Sequence, residues 1–276
     1  MHPEVRRGVS STRITAVRGG ISTQRADRLA GEEPMEIRAG GLSQEPVAVA
    51  VTMRTPGHDF ELASGFLFTE GLIGADDIVK VSYCDTLEVD QEFNVVTVRL
   101  SRPFEPRAQR NFYATSSCGI CGKASLDEVE VMCGQVPAGP TVARSTITAL
   151  PEDMRAAQKT FNATGGLHAA GLFDSSGSLK VVREDVGRHN AVDKLVGKAV
   201  LAGSLLFGHI LMVSGRTSFE IVQKAAVAGA PIVCAVSAPS SLAVEAAQRF
   251  GLTLIGFLRG DGFNIYTHPE RIDLSA

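Results

Sequence analysis

The chain has 276 residues, of which 44% are hydrophobic and 21% are charged. This composition is typical of a globular protein, so a collagen-like or wholly disordered chain is excluded, and the length fits one large or two modest domains. The formal net charge of −3 excludes the overall positive charge on which non-specific nucleic-acid binding depends. A local basic patch stays open, but we expect no nucleic-acid partner.

The cysteine count and the N-terminus both bear on the cellular location. An odd number of cysteines, five, with one close pair is atypical of a disulfide framework and predicts a reducing, cytoplasmic environment. No apolar run follows Arg6-Arg7, so no export signal is predicted. The charge-free stretch 225–244 is long enough to span a membrane, but two prolines interrupt it, so we expect no membrane association.

The first half of the chain is predicted to be rich in strands. Residues 1–30, with many Arg, Ser, Thr and Gly, predict a flexible N-terminal arm or a peripheral strand. Residues 31–140 are predicted to form a β-rich portion that ends in a loop with two cysteines and the helix after it. Its predicted elements are strands at 35–38, 47–53, 78–83 and 95–100, and helices at 60–67 and 123–132.

Residues 141–276 predict an α/β portion. A helix is predicted over 150–161, with Pro151 in its first turn. The strands that follow are predicted at 168–173, 179–183, 209–213, 231–236 and 252–257, and the helices at 188–202, 218–228 and 240–250. Because strands alternate with helices, the sequence predicts a layered mixed sheet with flanking helices.

The motif Cys118-Gly119-Ile120-Cys121 is the strongest chemical signal in the chain. Two thiols at this spacing can share a metal, form a reversible disulfide or relay sulfur as a persulfide, and a following helix N-terminus favours the thiolate. No second close Cys/Cys or Cys/His pair accompanies it, so a structural zinc site is disfavoured and no permanently bound metal is expected.

Two glycine-rich segments after predicted strands favour anion binding. In one, Arg188 and His189 fall in the first turn of a helix that Asp185 or Gly187 could cap, and backbone N–H groups at a helix start attract phosphates. In the other, Arg216 lies between a strand and a helix, at the edge where open α/β sheets bind ligands. A capped, solvated helix start is the simpler alternative for the first segment.

A third segment is a turn near the C-terminus that offers a cation, a carboxylate and an aromatic ring. These groups could bind a purine nucleotide, although a plain glycine turn would need none of them. Its residues are Phe257, Leu258, Arg259, Gly260, Asp261 and Gly262.

Taken together, these motifs resemble one family, the formate dehydrogenase accessory sulfurtransferases known as FdhD, over roughly residues 35–272. The resemblance rests on the segments 117–122, 166–170, 184–194, 214–216 and 257–268 in family order. It implies a cytoplasmic homodimer with a fold similar to that of cytidine deaminases.

The resemblance also implies a reaction. The family accepts sulfur from a cysteine desulfurase as a persulfide and passes it to a bound substrate, the molybdenum or tungsten bis(molybdopterin guanine dinucleotide) cofactor destined for formate dehydrogenase. By the same resemblance Cys118 would hold the persulfide, Cys121 would assist the relay, and residues 257–262 would bind the guanine dinucleotide. Arg188, His189 and Arg216 are expected to contribute to cofactor binding, the arginines through the phosphates.

Two other functions compete with sulfur transfer. The first is a non-catalytic chaperone that binds the cofactor or formate dehydrogenase and uses its cysteines only structurally. The second is a zinc-dependent nucleobase deaminase, which requires H-x-E followed by P-C-x-x-C. Ser117 stands where that motif has proline, and the triplet His268-Pro269-Glu270 lies downstream of the cysteines, so deamination is disfavoured.

Overall fold

The structure is a computed structural model, and it describes residues 8–83, 94–105 and 135–275. The strands are β1 (Val9–Arg18), β2 (Ile21–Ala30), β3 (Glu33–Gly41), β4 (Val47–Arg54), β5 (Ile78–Tyr83), β6 (Val95–Leu100), β7 (Val142–Ala143), β8 (His168–Phe173), β9 (Leu179–Asp185), β10 (Ile210–Val213), β11 (Ile232–Ala235), β12 (Thr253–Arg259), β13 (Gly262–Thr267) and β14 (Ile272–Asp273). The helices are α1 (Asp59–Thr69), α2 (Arg144–Ala157), α3 (Lys159–Thr164), α4 (Arg188–Leu201), α5 (Phe219–Val227) and α6 (Ser241–Phe250).

A six-stranded mixed sheet organises the second half of the chain, in the order β13-β12-β11-β10-β8-β9. The central strands β10, β11 and β12 are parallel, and antiparallel pairs complete both sides. Every residue of β10 and β11 is buried. Continuous apolar strands of this kind are typical of parallel strands covered on both faces.

Helices cover both faces of this sheet. Because side chains alternate along a strand, Leu211 and Val213 of β10 join one hydrophobic cluster, whereas Ile210 and Met212 join another. Helices α4, α5 and α6 contribute to the first cluster, and α2 contributes to the second. The result is a three-layer arrangement.

A four-stranded sheet, in the order β4-β3-β6-β5, carries the first half of the chain. Its buried residues, among them Met35 and Val98, belong to the same cluster as the residues of α4 and α5. Helix α1 crosses α4 at two glycines, and a Cβ added at Gly65 would overlap the Asp193 carbonyl, whereas one at Gly197 would overlap the Glu61 carbonyl. The two backbones are therefore in direct contact.

Residues 9–30 form an antiparallel hairpin of β1 and β2 in full register. Gly19 and Gly20 make the two-residue turn with φ of 56° and 80°, a conformation that glycine adopts without steric cost. The sequence predicted a flexible arm or a peripheral strand at this place. The domain boundaries after residues 30 and 140 stay predictions.

The predicted α/β class, a mixed sheet with flanking helices, is confirmed, whereas the deaminase-like assignment stays a prediction. The helix predicted over 150–161 was wrong at both ends, because α2 begins at Arg144 and ends at Ala157. One face of α2 is apolar and buried, through Ile147, Leu150 and Met154. Because this face starts before Pro151, the packing of the helix places this proline in its interior. The helix predicted at 123–132 lies outside the described residues.

The charge-free stretch 225–244 is divided among the end of α5, strand β11 and the start of α6. Pro231 and Pro239 lie between these elements, as their missing N–H groups require. In the part of the chain that the structure describes, no helix has the length and apolar character needed to cross a membrane.

We expect Gly65→Ala and Gly197→Ala each to lower the free energy of unfolding by about 3 kcal/mol, because the added methyl group forces two packed backbones apart. Urea denaturation measures the change. Gly74→Ala is the matched control, since its Cβ would lie 3.4 Å from the nearest atom, Asp77 Oδ2, and its effect should stay within about 0.5 kcal/mol. Equal stability of all three variants would contradict the close helix contact.

Candidate functional site

One edge of the six-stranded sheet gathers the ends of six strands. β9, β10, β11 and β12 end there, and the antiparallel strands β8 and β13 begin there. This is the edge at which ligands bind in open α/β sheets. The predicted residues that it brings together are Arg188, His189, Arg216, Phe257, Leu258, Arg259, Gly260, Asp261 and Gly262.

The start of α4 is fixed by the buried carboxylate of Asp185. Its Oδ1 accepts hydrogen bonds from the Gly187 N–H at 2.8 Å and from Asn190 Nδ2 at 3.0 Å. Gly187 is the N-cap residue of α4, with no side-chain cap. Asp185 therefore shapes the turn before the helix, and Arg188 and His189 open its first turn as predicted.

The other oxygen of Asp185 ties this turn to the first half of the chain. Oδ2 accepts from Lys194 Nζ at 2.6 Å and from the Thr55 N–H at 3.1 Å. The Lys194 ammonium, itself 1% exposed, also donates to the Thr55 carbonyl at 2.8 Å. Because Thr55 directly follows β4, the four-stranded sheet and the start of α4 are held by one buried network.

Arg188 and His168 meet against Gly215. A Cβ at Gly215 would lie 3.3 Å from His168 Nδ1 and 3.7 Å from Arg188 Cδ, so glycine permits this close approach. Burial, followed by the charge of Arg188, lowers the pKa of His168, while Asp185 opposes the shift. Arg188 Nε is buried without a hydrogen-bond partner in the described residues, so this donor of the guanidinium is unused there.

His189 contacts the start of α5. Its Nε2 lies 3.1 Å from Ser218 Oγ and 3.9 Å from a Glu220 carboxylate oxygen. Burial and the nearby charges of Lys224 and Arg188 lower the pKa of His189 to about 4. The imidazole is therefore neutral at pH 7 and can accept or donate a hydrogen bond.

A second buried charge network lies behind this histidine. Lys224 Nζ is 2.9 Å from Asp193 Oδ1, 2.9 Å from Glu70 Oε1 and 2.9 Å from Thr69 Oγ1. Burial disfavours the ammonium, but the two carboxylates outweigh burial and raise its pKa. The network joins α1, α4 and α5 beneath the site and places the Lys224 ammonium close to His189.

The segment 257–262, which comprises the end of β12 and the turn after it, presents an aromatic ring on a strained backbone. Phe257 is 45% exposed and has a φ of 53°, a left-handed conformation that bulky residues rarely adopt. Its N–H donates to the Ser237 carbonyl at 3.1 Å, next to a register shift between Gly256 and Arg259. Strain of this kind costs about 1–3 kcal/mol and is concentrated at functional sites.

The other residues of this segment differ in exposure. Leu258 is fully buried in the second hydrophobic cluster, so only its backbone can face a ligand. Arg259 Nε donates to the Val236 carbonyl at 3.0 Å, which holds the guanidinium over the neighbouring strand end. Asp261 is exposed and, with Gly262, borders an open depression of about 630 Å³ along β13.

Sequence reasoning missed two hydroxyls at this edge. Ser218 bonds to His189, and Thr217 is 1% exposed with its Oγ1 unpartnered in the described residues. The signal for Ser218 was available, because serine commonly precedes a helix. Nothing in the sequence distinguished Thr217 from an ordinary loop threonine.

The predicted sulfur-binding pair Cys118 and Cys121, with Cys84 and Cys133, lies outside the described residues. Cys234 is buried in β11, and burial raises the pKa of its thiol, so it is an unreactive core residue. In the H-x-E triplet, His268 Nδ1 faces Glu270 at 3.1 Å and Nε2 faces the Gln248 carbonyl at 3.2 Å. Within the described ranges, no three His, Cys, Asp or Glu side chains are placed to hold a metal.

Comparisons with known proteins agree with the resemblance seen in the motifs. The model of the FdhD/NarQ family matches residues 30–273. A protein of Mycolicibacterium paratuberculosis named "Sulfur carrier protein FdhD" is 52% identical over 95% of this chain and 98% of its own length. A protein of Sulfurisphaera tokodaii with the same name is 44% identical over 96% of this chain and 99% of its own.

A crystal structure from Desulfotalea psychrophila has a similar fold. It superimposes with a TM-score of 0.75 and covers 97% of this chain and 100% of its own at 24% sequence identity. That protein is assigned as a formate dehydrogenase accessory protein. At this identity the likeness concerns the fold alone.

We expect the NMR titration of His189 to have its midpoint near pH 4 rather than at the ordinary value of 6.5. Between pH 6.5 and pH 4 this histidine is protonated in the unfolded chain but neutral in the folded protein. The free energy of unfolding therefore falls as the pH falls, by up to about 1.4 kcal/mol per pH unit. His189→Gln should reduce this dependence of the free energy of unfolding on pH. His209→Gln is the control and should leave it unchanged, because His209 precedes β10 at the opposite end of the sheet. A midpoint near 6.5 would contradict the burial of His189.

Proposed function

The chain belongs to the FdhD/NarQ family, and on this basis we propose that it is a sulfur carrier for the maturation of formate dehydrogenase. It accepts sulfur from a cysteine desulfurase on Cys118 and transfers it to the molybdenum or tungsten bis(molybdopterin guanine dinucleotide) cofactor, a bound substrate. The cofactor then passes to formate dehydrogenase. The protein acts in the cytoplasm as a homodimer.

The observation that carries this proposal is the gathering of cationic and aromatic side chains at one edge of the sheet. Arg188 meets the loop after β10, whereas Phe257 leaves β12, two to three strand spacings or about 10–15 Å away. A single small anion cannot touch both. A dinucleotide can, with pyrophosphates near the arginines and a guanine base against the exposed ring.

The sulfur steps follow from the two thiols of the CxxC motif. The Cys118 thiolate attacks the terminal sulfur of the desulfurase persulfide, the donor's S–S bond breaks, and the donor thiolate leaves. The Cys121 thiolate then attacks Cys118 Sγ, so that a Cys118–Cys121 disulfide forms and the outer sulfur leaves as hydrosulfide for the metal. The two cysteines supply the two electrons, and a cellular thiol reductant restores them.

Intact-mass spectrometry after incubation with a cysteine desulfurase and cysteine tests the first step. We expect the wild type to gain one sulfur atom and Cys118→Ser to gain none, because its thiolate is absent. Cys234→Ala is the control and should load like the wild type, since the Cys234 thiol is buried. Normal maturation of formate dehydrogenase by Cys118→Ser would instead support a non-catalytic chaperone.

Calorimetry with GDP, a fragment of the cofactor, tests the binding edge. Arg188→Ala and Arg216→Ala should each weaken GDP binding about tenfold, the usual effect of losing a charge-assisted hydrogen bond to phosphate. Arg102→Ala is the control, because Arg102 pairs with Asp77 and lies outside this edge. Unchanged affinity in both site variants would remove the phosphate role from these arginines.

A further inference from the structure

His189 faces two side chains of α5 and its N-cap, Ser218 and Glu220. We propose that these two are positioning residues that hold the single ring proton of His189 on Nε2, so that Nδ1 accepts a hydrogen bond from a ribose hydroxyl of the bound nucleotide. The nucleotide comes from the proposed function, on which the ribose contact rests. The placement of the proton rests on the three side chains alone.

Ser218 is the N-cap residue of α5, but its hydroxyl does not cap the helix. A serine at this position ordinarily accepts a hydrogen bond from a backbone N–H of the first turn, as Ser240 of α6 does from the Ala243 N–H at 3.2 Å. Ser218 Oγ lies instead 3.1 Å from His189 Nε2. The hydroxyl is therefore engaged with α4 rather than with its own helix.

The carboxylate of Glu220 decides which atom carries the proton between Ser218 and His189. Burial opposes the ionisation of Glu220, but hydrogen bonds from the Ser218 hydroxyl and from its own backbone N–H lower its pKa. The one hydroxyl proton of Ser218 is thus directed to the carboxylate, which leaves the Ser218 oxygen to accept from His189 Nε2. The carboxylate also lies 3.9 Å from Nε2, where a negative charge favours an N–H over a lone pair.

His189 has only one ring proton, because its surroundings exclude the imidazolium. Burial, followed by the charges of Lys224 and Arg188, lowers its pKa. Two carboxylates, Glu220 and Glu70, oppose this shift without reversing it. The ring also belongs to the first turn of α4, where the positive end of the helix dipole disfavours a cation. With the proton on Nε2, the other nitrogen Nδ1 carries a lone pair.

Nδ1 is available to a ligand. Among the described residues it has no hydrogen-bond partner, and the His189 side chain is 27% exposed. A bare imidazole nitrogen accepts from O–H and N–H groups and repels anionic phosphate oxygens. In the proposed function Arg188, the preceding residue, binds the pyrophosphate. The ribose is the next group of the nucleotide, and its hydroxyls are the donors that Nδ1 requires.

Long-range NMR of the full-length protein, labelled with nitrogen-15 at histidine, tests the placement of the proton. We expect His189 to carry it on Nε2 in the wild type and the other tautomer to gain population in Ser218→Ala and Glu220→Gln. Ser240→Ala is the matched control, because this serine caps its own helix. It should keep the Nε2 proton and lower Tm by about 2–4 °C, the usual effect of a lost cap.

Calorimetry with GDP and with 2′,3′-dideoxy-GDP tests the acceptor. The wild type should bind the dideoxy analogue about three- to tenfold more weakly, the effect of losing one hydrogen bond. His189→Gln, which offers a donor in place of Nε2 but no acceptor in place of Nδ1, should bind both nucleotides with the same weakened affinity. His189→Asn, whose amide oxygen can replace Nδ1, should recover the preference for GDP.

A proton on Nδ1 in the wild type, or an unchanged tautomer in both Ser218→Ala and Glu220→Gln, would overturn the positioning role. Equal binding of the two nucleotides by the wild type, or an undiminished preference in His189→Gln, would overturn the ribose contact. Sulfur loading on Cys118 separates this inference from the proposed function. If the wild type preferred GDP through His189 but loaded no sulfur, the ribose contact would stand and the proposed function would fall.

Discussion

Four hydrogen-bond donors converge on the buried carboxylate of Asp185, and the geometry of the candidate site depends on that convergence. Two of them, the Gly187 N–H and the Asn190 amide, shape the start of α4. The Thr55 N–H attaches it to the end of β4, and the Lys194 ammonium of α4 donates both to this carboxylate and to the Thr55 carbonyl. Removing one partner of such a pair leaves an uncompensated buried charge, so the network fixes the relative position of the two sheets.

The sequence predicted the elements of the second half closely because their signals are local. Short apolar runs bounded by glycine, proline and capping residues marked β8 to β12, and periodic apolar positions marked α4, α5 and α6. The exception was α2, where Pro151 indicated a first turn. Packing of Ile147 and Leu150 against the sheet outweighed the cost of an interior proline.

The sequence indicated which strand ends meet at this edge, but not the contacts that support them. Glycine-rich segments after strands indicated Arg188, Arg216 and Phe257, because strand ends meet at one edge of a sheet. The bond between Thr55 and Asp185 joins residues 130 positions apart, and no local pattern encodes it. The left-handed backbone conformation of Phe257 could not be predicted from the sequence either, because contacts with residues distant in the chain stabilise it.

The crossing of α1 and α4 has a consequence for synthesis. The glycine that admits the Asp193 carbonyl is residue 65, so α1 leaves the ribosome well over a hundred residues before its partner. At translation rates of about 5–20 residues per second this delay is on the order of ten seconds. Until then the apolar surface of α1, including Leu62 and Leu67, has no covering helix. During that interval the α1 side chains that pack against α4 depend on the strands of the first half alone for shielding from water.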